Sequence, residues 1–196
     1  MSNHRHFITH KPYGYLSQFV NNQSTRKNKK LLGELHNFPE STMAIGRLDQ
    51  DSEGLLLLTT DGKVSLQVRS KDIEKEYYVQ VDGEITQAAI EKLKTGVEIG
   101  IRDRKYITLP CEATILNPPP LEEVGFRKIR GERHGVTSWL SITIKEGKNR
   151  QVRKMTAAVG FPTLRLVRIR IGEIHLNKLA KGEVREVNDL NAAMVY

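Results

Sequence analysis

Cysteine is almost missing: Cys111 stands alone among 196 residues, so the chain cannot build a disulfide framework of its own. Long apolar runs are missing too. The longest aliphatic stretch, Leu55 to Leu58, is far short of the roughly 20 residues a spanning helix requires. The first residues include His4, Arg5 and His6 and contain no apolar segment of the kind a secretory signal carries. Together with the single cysteine, this points to a reducing cytoplasm. There is no phosphate-cradling glycine loop, no nucleophile elbow and no Cys-x-x-Cys, so nucleotide hydrolases, serine hydrolases and zinc proteins lack their minimum parts. Asp49-Gln50-Asp51-Ser52-Glu53-Gly54 begins like a calcium loop but has Thr60 where the bidentate Glu belongs. His4, His6 and His10 read as polar, mobile surface, and Cys111 beside Pro110 reads as a buried filler.

What the chain does have is positive charge, with 31 Lys and Arg against 23 Asp and Glu for a net +8. The excess is concentrated. Between Lys145 and Arg170 eight cations (Lys145, Lys148, Arg150, Arg153, Lys154, Arg165, Arg168, Arg170) face Glu146 alone. Smaller clusters run from Arg26 to Lys30 and from Arg127 to Arg133. Such a surface fits a nucleic-acid polyanion. A membrane surface fits less well, for want of an amphipathic basic helix with aromatic anchors. The length, about 1.3 times a typical 150-residue domain, predicts one domain or two small lobes, with enough chain to bury about 70% of its unfolded surface unaided.

Hydrophobic patterning predicts a mixture without regular alternation. Leu55 to Leu58 reads as a strand buried on both faces, closed by a turn or helix cap at Thr59-Thr60-Asp61-Gly62. Tyr77 to Ile85 reads as a second strand, and Thr86 to Lys94 as a helix capped by Thr86 and stopped by Gly96. In Ser138 to Lys145, Leu140, Ile142 and Ile144 alternate with Trp139, Ser141 and Thr143, which predicts a half-buried strand. The turn Glu146-Gly147-Lys148-Asn149 then leads into a basic helix from Arg150 to Val159. Asn117-Pro118-Pro119-Pro120 is a stiff break joining elements, not domains. The expected class is α+β or mixed α/β.

Chemistry concentrates in Gly46-Arg47-Leu48-Asp49-Gln50-Asp51-Ser52-Glu53-Gly54-Leu55-Leu56-Leu57-Leu58-Thr59-Thr60-Asp61-Gly62, which sets an Arg and carboxylates immediately before a buried strand, a rigid mount for a reacting group. Without further context Asp49 reads more often as a turn or ion-pair residue than as a catalytic one. The stretch closely resembles the active-site motif of the RsuA-type pseudouridine synthases and departs from it at Thr60, where that family has Asn. Four more family segments occur in the right order: Lys11-Pro12-Tyr13-Gly14 before it, and Lys75-Glu76-Tyr77-Tyr78-Val79, Glu146 to Met155, and Gly160 to Leu166 after it. The likeness runs from Phe7 to about Val187.

That resemblance implies a mixed, largely antiparallel sheet flanked by helices, in two sub-lobes around a basic cleft. It implies isomerisation of a uridine within RNA: the N1–C1′ bond is cleaved, the uracil turns over, and C5 is joined to C1′. Neither cofactor nor metal is needed. Asp49 is carried over as the catalytic carboxylate, acting as nucleophile or as base. Tyr77 matches the aromatic that packs on the uracil, and Arg153 the basic residue that keeps the carboxylate ionised; on this basis Tyr78, on the opposite face of the strand, is dispensable. Arg47 is the candidate to fill the gap left by a flipped base, the other reading being an ion pair with Asp51 or Glu53. Lys148, Arg150, Lys154, Arg165 and Arg168 would hold the RNA backbone.

The substrate implied is large-subunit ribosomal RNA or its assembly intermediate, with no membrane partner and a monomeric enzyme. Only about ten residues precede Lys11, so residues 1–196 are expected to form a single catalytic domain without the N-terminal S4 module many relatives carry. The competing readings are a non-catalytic RNA-binding or ribosome-assembly protein on the same scaffold, and a sugar hydrolase pairing Asp49 with Asp51 or Glu53. The first has no use for Asp49, Tyr77 and Arg153 together, and the second calls for an acidic cleft. Target choice would rest on loops such as Gln23 to Leu31 and Asn117 to Gly135.

Overall fold

The computed structural model describes residues 4–20, 29–69, 73–129 and 132–194. Arg26 and Lys27 of the first small basic cluster, and Arg130 and Gly131 of the second, lie outside the described residues, as does most of the Gln23 to Leu31 loop. In chain order the elements are β1 (His6–Lys11), β2 (Tyr15–Leu16), β3 (Lys30–Leu31), β4 (Met43–Ile45), β5 (Glu53–Thr59) and α1 (Gly62–Val68). There follow β6 (Lys75–Asp82), α2 (Gln87–Thr95), β7 (Glu98–Ile101), β8 (Arg104–Ile107), β9 (Glu112–Leu116) and α3 (Leu121–Val124). The chain continues through β10 (Thr137–Ile144), α4 (Gln151–Ala158), β11 (Thr163–Ile171), β12 (Ile174–His175) and β13 (Val184–Val187). The class is mixed α/β with mainly antiparallel pairing. Among the described residues no helix is long and apolar enough to cross a membrane.

The chain divides into two compact units, Met1–Ile73 with Arg168–Tyr196, and Glu74–Val167. Strand β11 belongs to the second unit up to Val167 and to the first from Arg168 onward.

In the first unit the strand order is β13-β1-β5-β11, with β4 also paired to β5. Pairings of β1 with β13, β1 with β5 and β4 with β5 are antiparallel. Every residue of β5 is buried, as an unbroken leucine run requires. Leu55, Leu56, Leu57 and Leu58 are all fully inaccessible, and each such side chain contributes about 1.5–3 kcal/mol of transfer free energy. Phe7 completes this core, edge-on to Phe38 at 5.4 Å. Asp61 closes the segment by accepting from the Lys63 and Val64 amides at 2.8 and 3.4 Å, which starts α1.

The expectation of mobile surface histidines is overturned here. His6 and His10 lie on β1, which is flanked by strands on both sides, and are 8% and 3% exposed. His6 Nδ1 is 2.9 Å from Thr59 Oγ1, and His10 Nδ1 donates to the Leu179 carbonyl at 2.8 Å.

In the second unit the order is β11-β6-β10-β9, antiparallel from β6 to β9, beside an antiparallel β7–β8 hairpin. Strand β6 begins at Lys75 and ends at Asp82, because Gly83 turns the chain at φ +85°. The expected extension to Ile85 does not form. Helix α2 has its Thr86 cap, accepting from the Ala89 amide at 3.2 Å, and its Gly96 stop at φ +98°. Strand β10 is more deeply set than half-buried: Trp139 and Thr143, on the face expected to be open, are 4% and 7% exposed. Cys111 is half-buried, not buried, and its thiol donates to the Leu93 carbonyl at 3.2 Å. Burial pushes that thiol up to about 11. The proline break joins β9 to α3 inside this one unit.

Candidate active site

In the first unit Asp49 sits half-buried in the loop that joins β4 to β5. Gly46 opens the loop at φ +70°, and Leu48, 6% exposed, anchors it in the core. The Ser17 hydroxyl donates to the Leu48 carbonyl at 2.7 Å and accepts from the Leu48 amide at 3.0 Å. On the other flank the Gly14 amide donates to the Gln50 carbonyl at 2.8 Å, and Gln50 Nε2 returns a bond to the Gly14 carbonyl at 3.1 Å. Within the loop the Ser52 amide donates to the Asp49 carbonyl at 3.0 Å. At about 1 kcal/mol each, these bonds fix the Asp49 backbone from both sides. Arg47 is exposed and forms neither hydrogen bond nor ion pair with any described residue, so the alternative pairing with Asp51 or Glu53 is not made.

Below the loop lies a buried charge cluster that sequence reasoning missed. Lys11, at the end of β1, is fully buried and donates to the Pro12 and Tyr15 carbonyls at 3.0 and 2.7 Å. Burial pushes its ammonium down to about 8, while Glu53, Asp51 and Asp49 pull it upward and Arg168 adds to the lowering. Glu53 is 1% exposed, which keeps it from meeting a sugar leaving group in solution and removes a partner the hydrolase reading needs. Arg168 Nε donates to the Leu55 carbonyl at 2.8 Å, and its Nη2 is buried with no hydrogen-bond partner. Gly54 makes this packing possible. It has φ +106°, and a Cβ there would lie 2.2 Å from the Arg168 carbonyl oxygen.

The second unit holds the remaining expected residues. Tyr77 is 9% exposed on β6, opposite Ile142. Tyr78, its neighbour on the other face, reaches Glu123 Oε1 at 3.5 Å. Burial and then the Glu123 and Glu76 charges push the Tyr78 phenol up to about 12. The turn before α4 is locked by Glu146, 7% exposed, which accepts from Tyr106 Oη at 2.5 Å, Gln151 Nε2 at 2.6 Å and the Leu109 amide at 2.9 Å. Gln151 in turn accepts from the Lys148 amide at 2.9 Å. Lys148 and Arg150 are exposed, and Arg153 and Lys154 half-buried. Arg150 caps α4 in the left-handed region at φ +52°, and Arg153 Nη1 reaches the Thr163 carbonyl at 3.5 Å.

Two expected RNA contacts need correction. Arg165 is 1% exposed, donates to the Gly125 and Val124 carbonyls at 2.7 and 2.8 Å, and lies 5.8 Å from the Trp139 ring centre. Arg168 is 4% exposed in the cluster just described. Both guanidinium groups are enclosed by protein and are structural, since a surface phosphate contact needs a cation that RNA can reach.

Residues 5–158 match the family model described as RNA pseudouridylate synthase. The chain belongs to this family. Among similar proteins, a ribosomal large subunit pseudouridine synthase E from Vibrio vulnificus is 44% identical over 184 residues, covering 92% of this chain and 74% of its own length. Another of that name, from Xanthomonas axonopodis pv. citri, is 41% identical over 176 residues, covering 88% of each. A crystal structure of a pseudouridylate synthase matches with a TM-score of 0.74 at 26% identity, covering 95% of this chain and 71% of that one. The pseudouridylate synthase match contains Asp49, Tyr77 and Arg153, whereas Arg165 and Arg168 lie past its end.

Proposed function

We propose that this chain isomerises a specific uridine to pseudouridine in large-subunit ribosomal RNA, with Asp49 as the catalytic carboxylate. The observation that carries this is the Asp49 loop, pinned by Ser17 and Gly14 in a chain of the pseudouridylate synthase family. The reaction breaks N1–C1′ and joins C5 to C1′. C5 gives up its proton and N1 gains one, so atoms balance within the nucleotide and solvent. Asp49 opens the reaction as nucleophile or as base, and a carboxylate on a preorganised loop serves either role. Tyr77 supplies the aromatic for the uracil and the route for the C5 proton, and Arg153 supplies a cation to the reacting centre. Arg47, exposed and without a partner among the described residues, occupies the gap behind the flipped base at a cost of a few kcal/mol of unstacking. Lys148, Arg150 and Lys154 hold phosphates.

No metal or cofactor enters this scheme. The enzyme acts as a monomer in the cytoplasm, on rRNA or on an assembly intermediate.

The test is incubation of wild type and Asp49→Ala with unmodified large-subunit rRNA, then mapping of pseudouridine by carbodiimide adducts and primer extension. One stop with wild type alone is the expected result. Asp49→Asn should lose more than about a thousandfold in rate and keep RNA affinity within a few-fold. No stop from wild type, on naked RNA and on under-modified subunits alike, would leave an RNA-binding protein instead.

A further inference from the structure

A further group of cations lies on the β7–β8 hairpin, outside the five motif segments. Within the second unit Ile101, Arg102, Asp103, Arg104, Lys105 and Tyr106 of the β7–β8 hairpin face Gly147, Lys148 and Asn149 across a groove of about 920 Å³. Arg102, Arg104 and Lys105 are exposed. Lys105 is tied to Glu98 at 2.9 Å, whereas Arg102 and Arg104 meet no acid among the described residues. Lys148 sits with its ammonium 4.8 Å from the Tyr106 ring centre, and that ring is held by the Tyr106 bond to Glu146. Glu146, the nearest buried carboxylate, spends its acceptors on Tyr106, Gln151 and Leu109. The groove is therefore lined by four cations against Asp103, and its walls are a hairpin and a locked turn.

Arg102 also holds φ +54°, where glycine or asparagine would sit at lower cost. An arginine kept at the tightest point of a turn, with no partner among the described residues, is available to an anion from outside. A point phosphate would need one or two of these cations; an array along a groove suits a repeating polyanion.

We infer that this groove binds the phosphodiester backbone of the RNA substrate, with Arg102 and Arg104 as phosphate ligands beside Lys148. This rests on the proposed function for the identity of the polyanion. The contact is to backbone and carries affinity, not base identity.

The experiment compares the wild-type chain, Arg102→Ala/Arg104→Ala, the charge-preserving Arg102→Lys/Arg104→Lys, and a control Lys63→Ala/Lys178→Ala that removes two exposed cations elsewhere. Binding to unmodified large-subunit rRNA transcript is measured across salt, alongside pseudouridine formation at saturating RNA. The alanine pair should raise Kd about tenfold or more near 0.1 M salt and flatten the log K against log salt slope by about two units. The lysine pair should bind within about threefold of wild type, and the Lys63→Ala/Lys178→Ala control should bind and turn over within about twofold of wild type. Unchanged Kd and slope in the alanine pair, with wild type still active, would overturn the groove and leave the isomerase intact. An equal loss in the control pair would overturn it as well, by showing general charge alone. If wild type forms no pseudouridine but the alanine pair alone loses binding, the groove stands and the isomerase reading fails.

Discussion

Arg165 and Arg168 stand three residues apart on one strand, and Arg102 and Arg104 stand two apart at a hairpin tip. In a charge count the four are the same. In the structure the strand pair is almost wholly enclosed, at 1% and 4% exposure, and the hairpin pair is exposed. Arg165 serves carbonyls and an indole, and Arg168 serves a carbonyl beside a glycine. The hairpin arginines meet no acid among the described residues. A net charge of +8 is thus two populations, one that folds the chain and one that meets a polyanion, and only the second should respond to salt.

The enclosed arginine packing is most exposed to damage at Gly54→Ala. The added methyl would lie 2.2 Å from the Arg168 carbonyl oxygen and 2.6 Å from its amide nitrogen, at φ +106°. Backbone cannot give way as a side chain can, so overpacking and strain together should cost about 4 kcal/mol. Urea unfolding measures this. A loss below about 1 kcal/mol would mean that β5 and Arg168 are not packed as described.

Next in size is Arg165→Met. It deprives the Val124 and Gly125 carbonyls of their donors and removes the cation beside Trp139, for about 3 kcal/mol. The salt slope of RNA binding should not change. A slope flatter by a full unit would return Arg165 to the phosphate-binding population.

Much of the fold is legible in the sequence. The leucine run, the Thr86 cap, the Gly96 stop and the basic helix all follow from local chemistry, and the Asp49 motif was visible as a string. Burial set by strand pairing was not. Lys11 stands in a family segment with no sign of burial until its register places it opposite Gly54, beside Glu53. His6 and His10 read as surface until β13 and β5 flank them. Arg102 and Arg104 match no family segment, and their lack of protein partners is a fact of three dimensions.

Lys11 gives a smaller, pH-dependent test. Its folded value near 8 lies below the ordinary 10.5, so between those values the unfolded chain binds more protons and stability rises with pH. Below about 8 the cost of burying the charge is fully present. Relative to Lys11→Met, wild type should gain about 2 kcal/mol between pH 7 and 9.5, with Glu53, Asp51, Asp49 and Arg168 the charges that set the window. Parallel stability curves would show that Lys11 keeps its ordinary value and that the cluster is wetter than its burial indicates.

Smallest in stability, and sharpest for the comparison, is Lys154→Ala. Lys154 is half-buried on α4, and its ammonium has no hydrogen bond or ion pair among the described residues. Removing it should change unfolding free energy by less than about 0.5 kcal/mol, yet flatten the salt slope of RNA binding by about one unit. Arg165→Met should do the reverse, a large loss of stability with the slope kept. The two variants remove one positive charge each, so electrostatics at long range affects them alike and drops out of the difference. If both flatten the slope equally, burial does not divide the cations, and the division into folding charge and binding charge is wrong.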